Sequence, residues 1–501
     1  MGAPRWTLSA GFAAAACVAV LWITRPPGPG LDPDAMSYLG AAESFASRGT
    51  LRVPTGSWND PDGSSPLSHF PAGFSLALAG PIALGVDPVQ AARGVEALAA
   101  AATAGVMVWL GTVAAGPFAG ALAGVLLLAT PGLALDHLRV LSEPLFLALL
   151  AWTLLLMVRR PDRPLWYGMA AALATGVRYA GMALGGAAAL WALGRPAPLR
   201  RRLWSAVLAG APAALVQVAW TLRADVEASA VRTFGLKSDL GPTFREGWDT
   251  LSGWLAPGVG APTLRSAVAL VVITSLVALV AIAARRVGRF LAATGLLAAC
   301  YVALVLFSRL FADEGIPLDD RLLSPLFLLA AVAVAVAVGS LWRERRRGAG
   351  PLATVVLAAW VGASAWRTAA TVHGARDGGW GYASEDWIAS DVVRWLRTEG
   401  KGFVIFSDDP ADVWFATGSR SWTLPATADA DSATAFGEVL RRRHGALIGF
   451  ANPLEPMAAP SVLAARLSLP LLARFEGAVV WGPPARADGY EEAPPSGARR
   501  R

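Results

Sequence analysis

Twelve apolar runs of near-span length recur between Leu8 and Val372, and no other feature of the chain narrows its fold so far. They are Leu8–Thr24, Phe70–Val86, Ala92–Ala114, Phe118–Leu135, Leu141–Val158, Pro164–Val177, Tyr179–Gly194, Leu203–Leu222, Ser266–Ala284, Phe290–Ser308, Pro325–Trp342 and Pro351–Val372. A helix crossing the hydrocarbon core needs about 20 such residues, within a range of roughly 17–25. The chain is 55% hydrophobic and only 16% charged, with mean hydropathy +0.48. That composition excludes a soluble enzyme and a disordered chain, and it fits a polytopic α-helical membrane protein. Both cysteines, Cys17 and Cys300, lie in apolar runs, so neither a disulfide nor a zinc site is expected.

Arginine placement orients the spans. Arg5 and four short loops (Arg159–Arg163, Arg195–Arg202, Arg285–Arg289 and Arg343–Arg347) hold 15 basic and two acidic residues, whereas the rest of the chain before His373 holds 14 basic and 18 acidic. Basic loops of this kind stay in the cytoplasm, so the net charge of +7 points to topology and not to nucleic acid. Parity then makes Phe70–Val86, with its internal Pro71 and Pro81, an interfacial or re-entrant helix and leaves eleven spans. Pro164–Val177 and Tyr179–Gly194 are short and flanked by arginines on both sides, which predicts a broken hairpin with Arg178 at its tip. The expected division is a transmembrane domain over 1–372, holding the external loop 25–69 and the interfacial helix 70–86. A small extracytoplasmic α/β domain over 373–486 and a disordered tail over 487–501 complete it. The strands of the small domain are expected at Phe403–Phe406, Ala446–Phe450 and Ala478–Trp481, and its helices at Pro410–Thr417 and Ser432–Arg443.

Two acidic segments face the same outer side. Asp32 and Asp34 precede a helical stretch, Ala35–Ser47, that carries Tyr38. Such carboxylates either cap the helix or accept a proton from an attacking hydroxyl. Asp136-His137 and Ser142-Glu143-Pro144 form the second segment, where Glu143 opens a span. Arg93 (with Glu96 as a local partner), Arg178 and Arg321 (after Asp319-Asp320) supply guanidiniums near that face. Arginine at membrane depth is costly and defaults to function, and its planar fork suits phosphate oxygens. The alternative for each is an ion pair or snorkelling to the interface.

Taken in order, these segments resemble the GT-C superfamily of membrane glycosyltransferases, in the branch that includes protein mannosyltransferases and aminoarabinose transferases. The resemblance rests on Asp34 with Tyr38-Leu39, Ala42 and Gly49; on His69-Phe-Pro71 as a degenerate His-Pro-Pro element; and on the Arg93-led span. It continues through Pro131, Ser142-Glu143-Pro144, Gly176-Val-Arg178-Tyr179 and Asp320-Arg321-Leu-Leu-Ser-Pro325. The resemblance implies a multi-pass enzyme of the plasma (inner) membrane. It would move a sugar, as a hexosyl- or pentosyltransferase, from a polyprenyl-phosphate carrier to a glycan, lipid or protein hydroxyl outside the cytoplasm, with inversion. Asp34 would be the base and Glu143 would organise the site. Asp32, Tyr38, His69, Arg93, His137, Arg178, Tyr179, Asp320 and Arg321 would bind substrate. The donor, the acceptor and the bilayer are the expected partners, without nucleic acid, and a divalent cation is the only cofactor left open. The competing class is a transporter or flippase of lipid-linked glycans, which should show pseudo-symmetric halves with broken helices at the midplane.

Overall fold

The computed structural model describes residues 5–227, 235–236, 239–313, 315–343, 349–451 and 457–483. The expected tail 487–501 and the loop residues 344–347 lie outside the described residues. The chain divides into two compact units, Met1–Pro29 with Ser68–Asp377 and Gly30–Leu67 with Gly378–Arg501. The expectation grouped 25–69 with the membrane part, whereas the structure builds most of that loop into the second unit.

In chain order, α1 (Arg5–Ile23) is followed by α2 (Pro33–Arg48), three two-residue strands β1 (Arg52–Val53), β2 (Thr55–Gly56) and β3 (Ser65–Pro66), and the short α3 (Gly73–Ala83). The 11 residues of α3 reach ~16 Å, about half the hydrocarbon thickness, so this run does not cross it alone. Then come α4 (Pro88–Ala115), α5 (Pro117–Ala129), α6 (Pro131–His137), α7 (Glu143–Arg159), α8 (Pro164–Val177), α9 (Gly181–Leu193), α10 (Leu199–Glu227), α11 (Leu240–Leu255) and α12 (Pro262–Phe307). A π-helical turn, Ser308–Ala312, leads to α13 (Asp320–Trp342) and α14 (Ala349–Gly378). The remainder is α15 (Glu385–Ala389), α16 (Asp391–Arg397), β4 (Val404–Ser407), α17 (Pro410–Thr417), β5 (Ser421–Trp422), α18 (Ala430–Arg443), β6 (Gly445–Phe450), α19 (Pro460–Arg466), β7 (Leu471–Phe475) and β8 (Ala478–Trp481).

Among the described residues, Trp6–Ile23, Pro88–Ala115, Leu199–Arg223, Pro262–Ala312 and Asp320–Trp342 are long and apolar enough to cross a membrane. The pair α5–α6, bent by 65° at Pro131, makes a sixth such stretch. Length accounts for three of the five missing from eleven; of the others, one run lies in the 30-residue α14, which is not among these stretches, and two share the range α12. Helices α7, α8 and α9 have 17, 14 and 13 residues. The two runs expected on either side of Arg285–Arg289 are the two halves of the range α12, which meet at a kink with non-helical backbone at Val287. The break falls inside that basic stretch, so two helices meet there.

The first unit is organised around α4, which packs against α1, α5, α7 and α13. The first half of its buried face is mostly alanine (Ala92, Ala97, Ala100, Ala104), which lets backbones approach closely where lipid supplies no hydrophobic drive. Asp87 caps the helix by accepting from the Val89 and Gln90 amides at 3.0 and 3.1 Å. The expected hairpin is present as α8 and α9, packed on each other and on α10. Arg178–Ala180 joins them in a tight turn closed by the Gly181 amide donating to the Arg178 carbonyl at 2.9 Å. Only glycine fits at 181, because a β-carbon there would strike the backbone of Ala174 and Thr175.

The second unit is a six-stranded sheet in the order β2-β5-β4-β6-β8-β7, parallel from β2 to β6 and antiparallel beyond. Period-two alternation sorts its core onto two faces. Ile405, Ile448 and Val480 join Val393, Leu396 and Val413 on one face. Phe406 and Leu447 join Phe436, Leu440 and Leu463 on the other. Two-residue β2 adds an edge to this sheet, with Thr55 opposite Ser421 and Gly56 opposite Trp422. Helix α2 packs on α17 and β1, with Gly40 against Pro54, and Tyr38, Leu39, Ala41 and Ala42 are buried. Gly49 ends it in the left-handed region (φ 68°), its amide donating to Phe45.

Candidate active site

In the first unit, the α6–α7 connection, the α8–α9 tip and the start of α13 bring Glu143, Arg178 and Arg321 together. Glu143 opens α7 with its side chain only 3% exposed. Its Oε1 accepts from Arg178 Nη1 at 2.5 Å and from Arg321 Nε. Ser142 Oγ accepts from Arg178 Nη1 at 3.1 Å, tying the hairpin tip to the same turn. The guanidiniums are 18% and 23% exposed, so the carboxylate is the deep member and the two cations form its outer layer. A buried carboxylate is tolerable because it is paired and hydrogen-bonded at once.

Further buried groups brace this turn. Asp136, at the end of α6, is fully buried beside Ser324 and within the fields of Glu143, Arg139 and Arg178. His137 Nδ1 is 2.7 Å from the Leu133 carbonyl, and its Nε2 has no hydrogen-bond partner among the described residues. Tyr301 donates to the Leu322 carbonyl at 2.6 Å, and Asp319 caps α13 by accepting from the Leu322 amide at 2.9 Å. Asp320 accepts from Trp254 Nε1, which ties α11 to α13. The loop before α13 is held by Glu246, which accepts from the Leu318 amide at 2.8 Å and pairs with Arg309 at 2.6 Å. Tyr179 accepts from Trp220 Nε1 at 3.1 Å and donates to the Ser68 carbonyl at 3.3 Å. His69 packs edge-on against Phe70.

Arg93 stands elsewhere. It donates to Thr24 Oγ1 at 3.1 Å, the Leu21 carbonyl at 2.9 Å and Gln90 Oε1 at 2.7 Å, fastening α1 to α4. Glu96, expected beside it, is instead fully buried and accepts from the Leu141 amide at 3.0 Å. That bond anchors the segment leading into Glu143. Its signal in the sequence was an acidic residue inside an apolar span; Tyr301, Trp220 and Trp254 left no comparable signal.

Asp32, Asp34 and Tyr38 belong to the second unit. Asp32 is the residue before α2 yet makes no side-chain capping bond, and Asp34 sits in the first turn behind Pro33. Tyr38 is buried. An acidic shelf lies at the carboxyl end of β4. Tyr382 donates to both oxygens of Asp409, at 3.0 and 2.9 Å, and Asp409 caps α17 through the Asp412 amide at 3.1 Å. Trp387 Nε1 donates to Asp412. Asp408 accepts from the Phe450 amide at 2.9 Å, while its Oδ2 has no partner among the described residues. Burial, reinforced by the Asp409 charge, pushes the Asp412 carboxyl up to about 7, and burial pushes Asp408 up to about 6. The Tyr382 phenol is raised by burial and by Asp409.

The donor sets do not fit a divalent cation. Among the described residues no three His, Cys, Asp or Glu side chains stand close enough to hold one, and Glu143 Oε1 is engaged by both guanidiniums.

No family model and no curated protein sequence matches the chain. Solved structures do. ArnT from Cupriavidus metallidurans in the apo state aligns with TM-score 0.50 and 16% identity over 94% of this chain and 97% of that one. ArnT bound to undecaprenyl phosphate aligns with TM-score 0.50 and 16% identity over 96% and 98%. The oligosaccharyltransferase AglB from Archaeoglobus fulgidus, in complex with an inhibitory peptide and a dolichol-phosphate, aligns with TM-score 0.51 and 12% identity over 88% and 69%. At such identities the likeness speaks to fold. The chain thus shares its fold with the ArnT and AglB structures over most of its length.

Proposed function

We propose that the chain transfers a sugar from a polyprenyl-phosphate carrier to an acceptor hydroxyl on the extracytoplasmic face of the inner membrane, with inversion at the anomeric carbon. The observation that carries this reading is the pair of guanidiniums held by buried Glu143. A carrier that leaves as a phosphate needs fixed positive charge where its negative charge develops, and preorganised donors supply it without reorganisation. ArnT bound to undecaprenyl phosphate and AglB with a dolichol-phosphate, which share the fold, support a lipid-phosphate donor.

In this reaction Asp34 is the base. It takes the acceptor proton as the hydroxyl oxygen attacks the anomeric carbon; the bond from that carbon to the phosphate oxygen breaks, and the phosphate leaves onto Arg178 and Arg321. Glu143 positions both arginines. In support of Asp34, it lies in the first turn of α2, behind Pro33. Asp136, His137, Tyr179 and Asp320 shape the surroundings of the cluster, and Asp32, Tyr38 and His69 complete the proposed substrate contacts. The eleven-span topology with an external second unit belongs to the same proposal, and that unit would recognise the acceptor.

Purified protein mixed with a polyprenyl-phosphate sugar and an acceptor should release polyprenyl phosphate. Asp34→Asn should lower that rate by ~10²–10⁴, the usual contribution of a general base. A variant that matches wild type removes Asp34 from the chemistry, and wild-type transport of the glycan without transfer removes the reaction itself.

A further inference from the structure

We propose that a cationic pocket in the second unit binds an anionic saccharide, a sugar carrying phosphate or carboxylate. The pocket lies between the second half of α2, β1 and the α17–β5 turn, and encloses about 190 Å³. A water molecule claims ~30 Å³ in the liquid, so this space is of monosaccharide size. Arg48, Arg52 and Arg420 line it together with Trp414, Ser44 and Ser64, and Glu43 is the single acidic residue in its wall.

The arginines are fixed by neutral partners. Arg48 Nη2 donates to Ser44 Oγ at 3.1 Å. Arg52 donates through Nε to Ser64 Oγ at 3.0 Å and through Nη2 to the Ser64 carbonyl. Arg420 Nη1 donates to the Asp62 carbonyl at 2.8 Å. Hydroxyls and carbonyls hold a guanidinium in place without cancelling its charge, so three oriented cations face one carboxylate. Ordinary surface arginines are solvated and mobile; these are tethered to one short segment, Asp62–Ser64, and to α2. The half-buried Trp414 adds an indole to the wall, a surface on which a sugar ring packs while the forks take its anionic group.

The pocket also has a fixed distance from Asp34. Ser44 and Arg48 lie ten and fourteen residues beyond it on the same helix, ~15–21 Å at 1.5 Å per residue. That is too far for the reacting hydroxyl and suits a distal part of the same acceptor; this placement, though not the binding itself, rests on the proposed transfer reaction.

The test titrates the full-length protein in detergent with mannose 6-phosphate, glucuronic acid, mannose and inorganic phosphate, read by tryptophan fluorescence and calorimetry. The two anionic sugars should bind at least tenfold more tightly than mannose, and mannose 6-phosphate more tightly than inorganic phosphate. Arg52→Gln with Arg420→Gln should weaken both anionic sugars at least tenfold, and Trp414→Ala should weaken mannose 6-phosphate while leaving inorganic phosphate unchanged. Should the double variant not fold, the exposed Arg48→Gln should weaken the same ligands severalfold. Absence of binding to wild type overturns the proposal. So do equal affinities for mannose and mannose 6-phosphate, for inorganic phosphate and mannose 6-phosphate, or for wild type and all variants. Loss on Arg178→Gln with Arg321→Gln in place of the pocket variants assigns the binding to the other cluster and also overturns it. No polyprenyl donor enters this experiment, so failure of the transfer reaction leaves its result intact.

Discussion

The cluster at Glu143 and the shelf at Asp408–Asp412 solve the same problem in opposite ways. Both bury carboxylates. At Glu143 the compensation is two guanidiniums, so the charge is kept and neutralised by fixed partners. On the shelf, Asp409 and Asp412 receive hydrogen bonds from Tyr382, Trp387 and a backbone amide, and no guanidinium pairs with them among the described residues. There the response to burial is retention of a proton. The first arrangement fixes paired charge in place; the second ties the folding of its unit to pH.

The largest effect should come from breaking the first arrangement. Glu143→Gln leaves two guanidiniums without their buried counter-charge, which costs ~3–5 kcal/mol. Thermal unfolding should show a clearly lower midpoint, and transfer should fall with it. Arg321→Lys sharpens the point: it keeps the charge but loses the fork, so donor affinity should drop by ~10-fold, less than for Arg321→Gln. Equal effects of Lys and Gln would mean that geometry, not charge alone, holds the site.

The shelf should respond next. The raised carboxyls of Asp408, Asp409 and Asp412 bind protons more tightly in the folded unit than in the unfolded chain, where their ordinary value is 3.8. Stability is therefore fully present below about pH 4, falls as pH rises through about 6 and 7, and levels off above. Hydrogen exchange of the β4–α17 segment, corrected for intrinsic rates, should show less protection at pH 8 than at pH 5. Asp412→Asn should flatten that dependence, and an unchanged slope would contradict the assignment. The smallest effect is expected at Arg93. Arg93→Gln removes the bonds from α4 to Thr24 and Leu21, costing ~1 kcal/mol or a little more, with donor KM within twofold of wild type. A large rise in KM would return Arg93 to the substrate-binding set.

How much of this was legible depends on the range of the signal. Apolar runs are local, so α4, α7 and α13 were visible, as was the break at Arg178. Glu143, Arg178 and Arg321 stood out because charge near apolar runs is expensive. The roles of Arg93 and Glu96 were not legible, since i,i+3 spacing suggested that they pair with each other, while Arg93 bonds Gln90 and residues about 70 positions earlier and Glu96 bonds a residue 45 positions later. Nor could two-residue β2 announce itself. Its parallel pairing with β5, and Trp58 packing edge-on against Phe436 at 5.9 Å, join segments more than 360 residues apart. The α/β elements after residue 400 were readable because β4, β6 and β8 are buried hydrophobic runs bounded by turns.

The account depends most on Arg178 and Arg321 being held by Glu143 to receive the carrier phosphate. Affinity for undecaprenyl phosphate, measured on wild type and on the Arg178→Gln, Arg321→Gln double variant under identical detergent conditions, tests it directly. The prediction is a loss of ~100-fold or more, as expected when two charge-assisted contacts worth ~1.5–3 kcal/mol each are removed. A folded double variant that binds the carrier as tightly as wild type would contradict it.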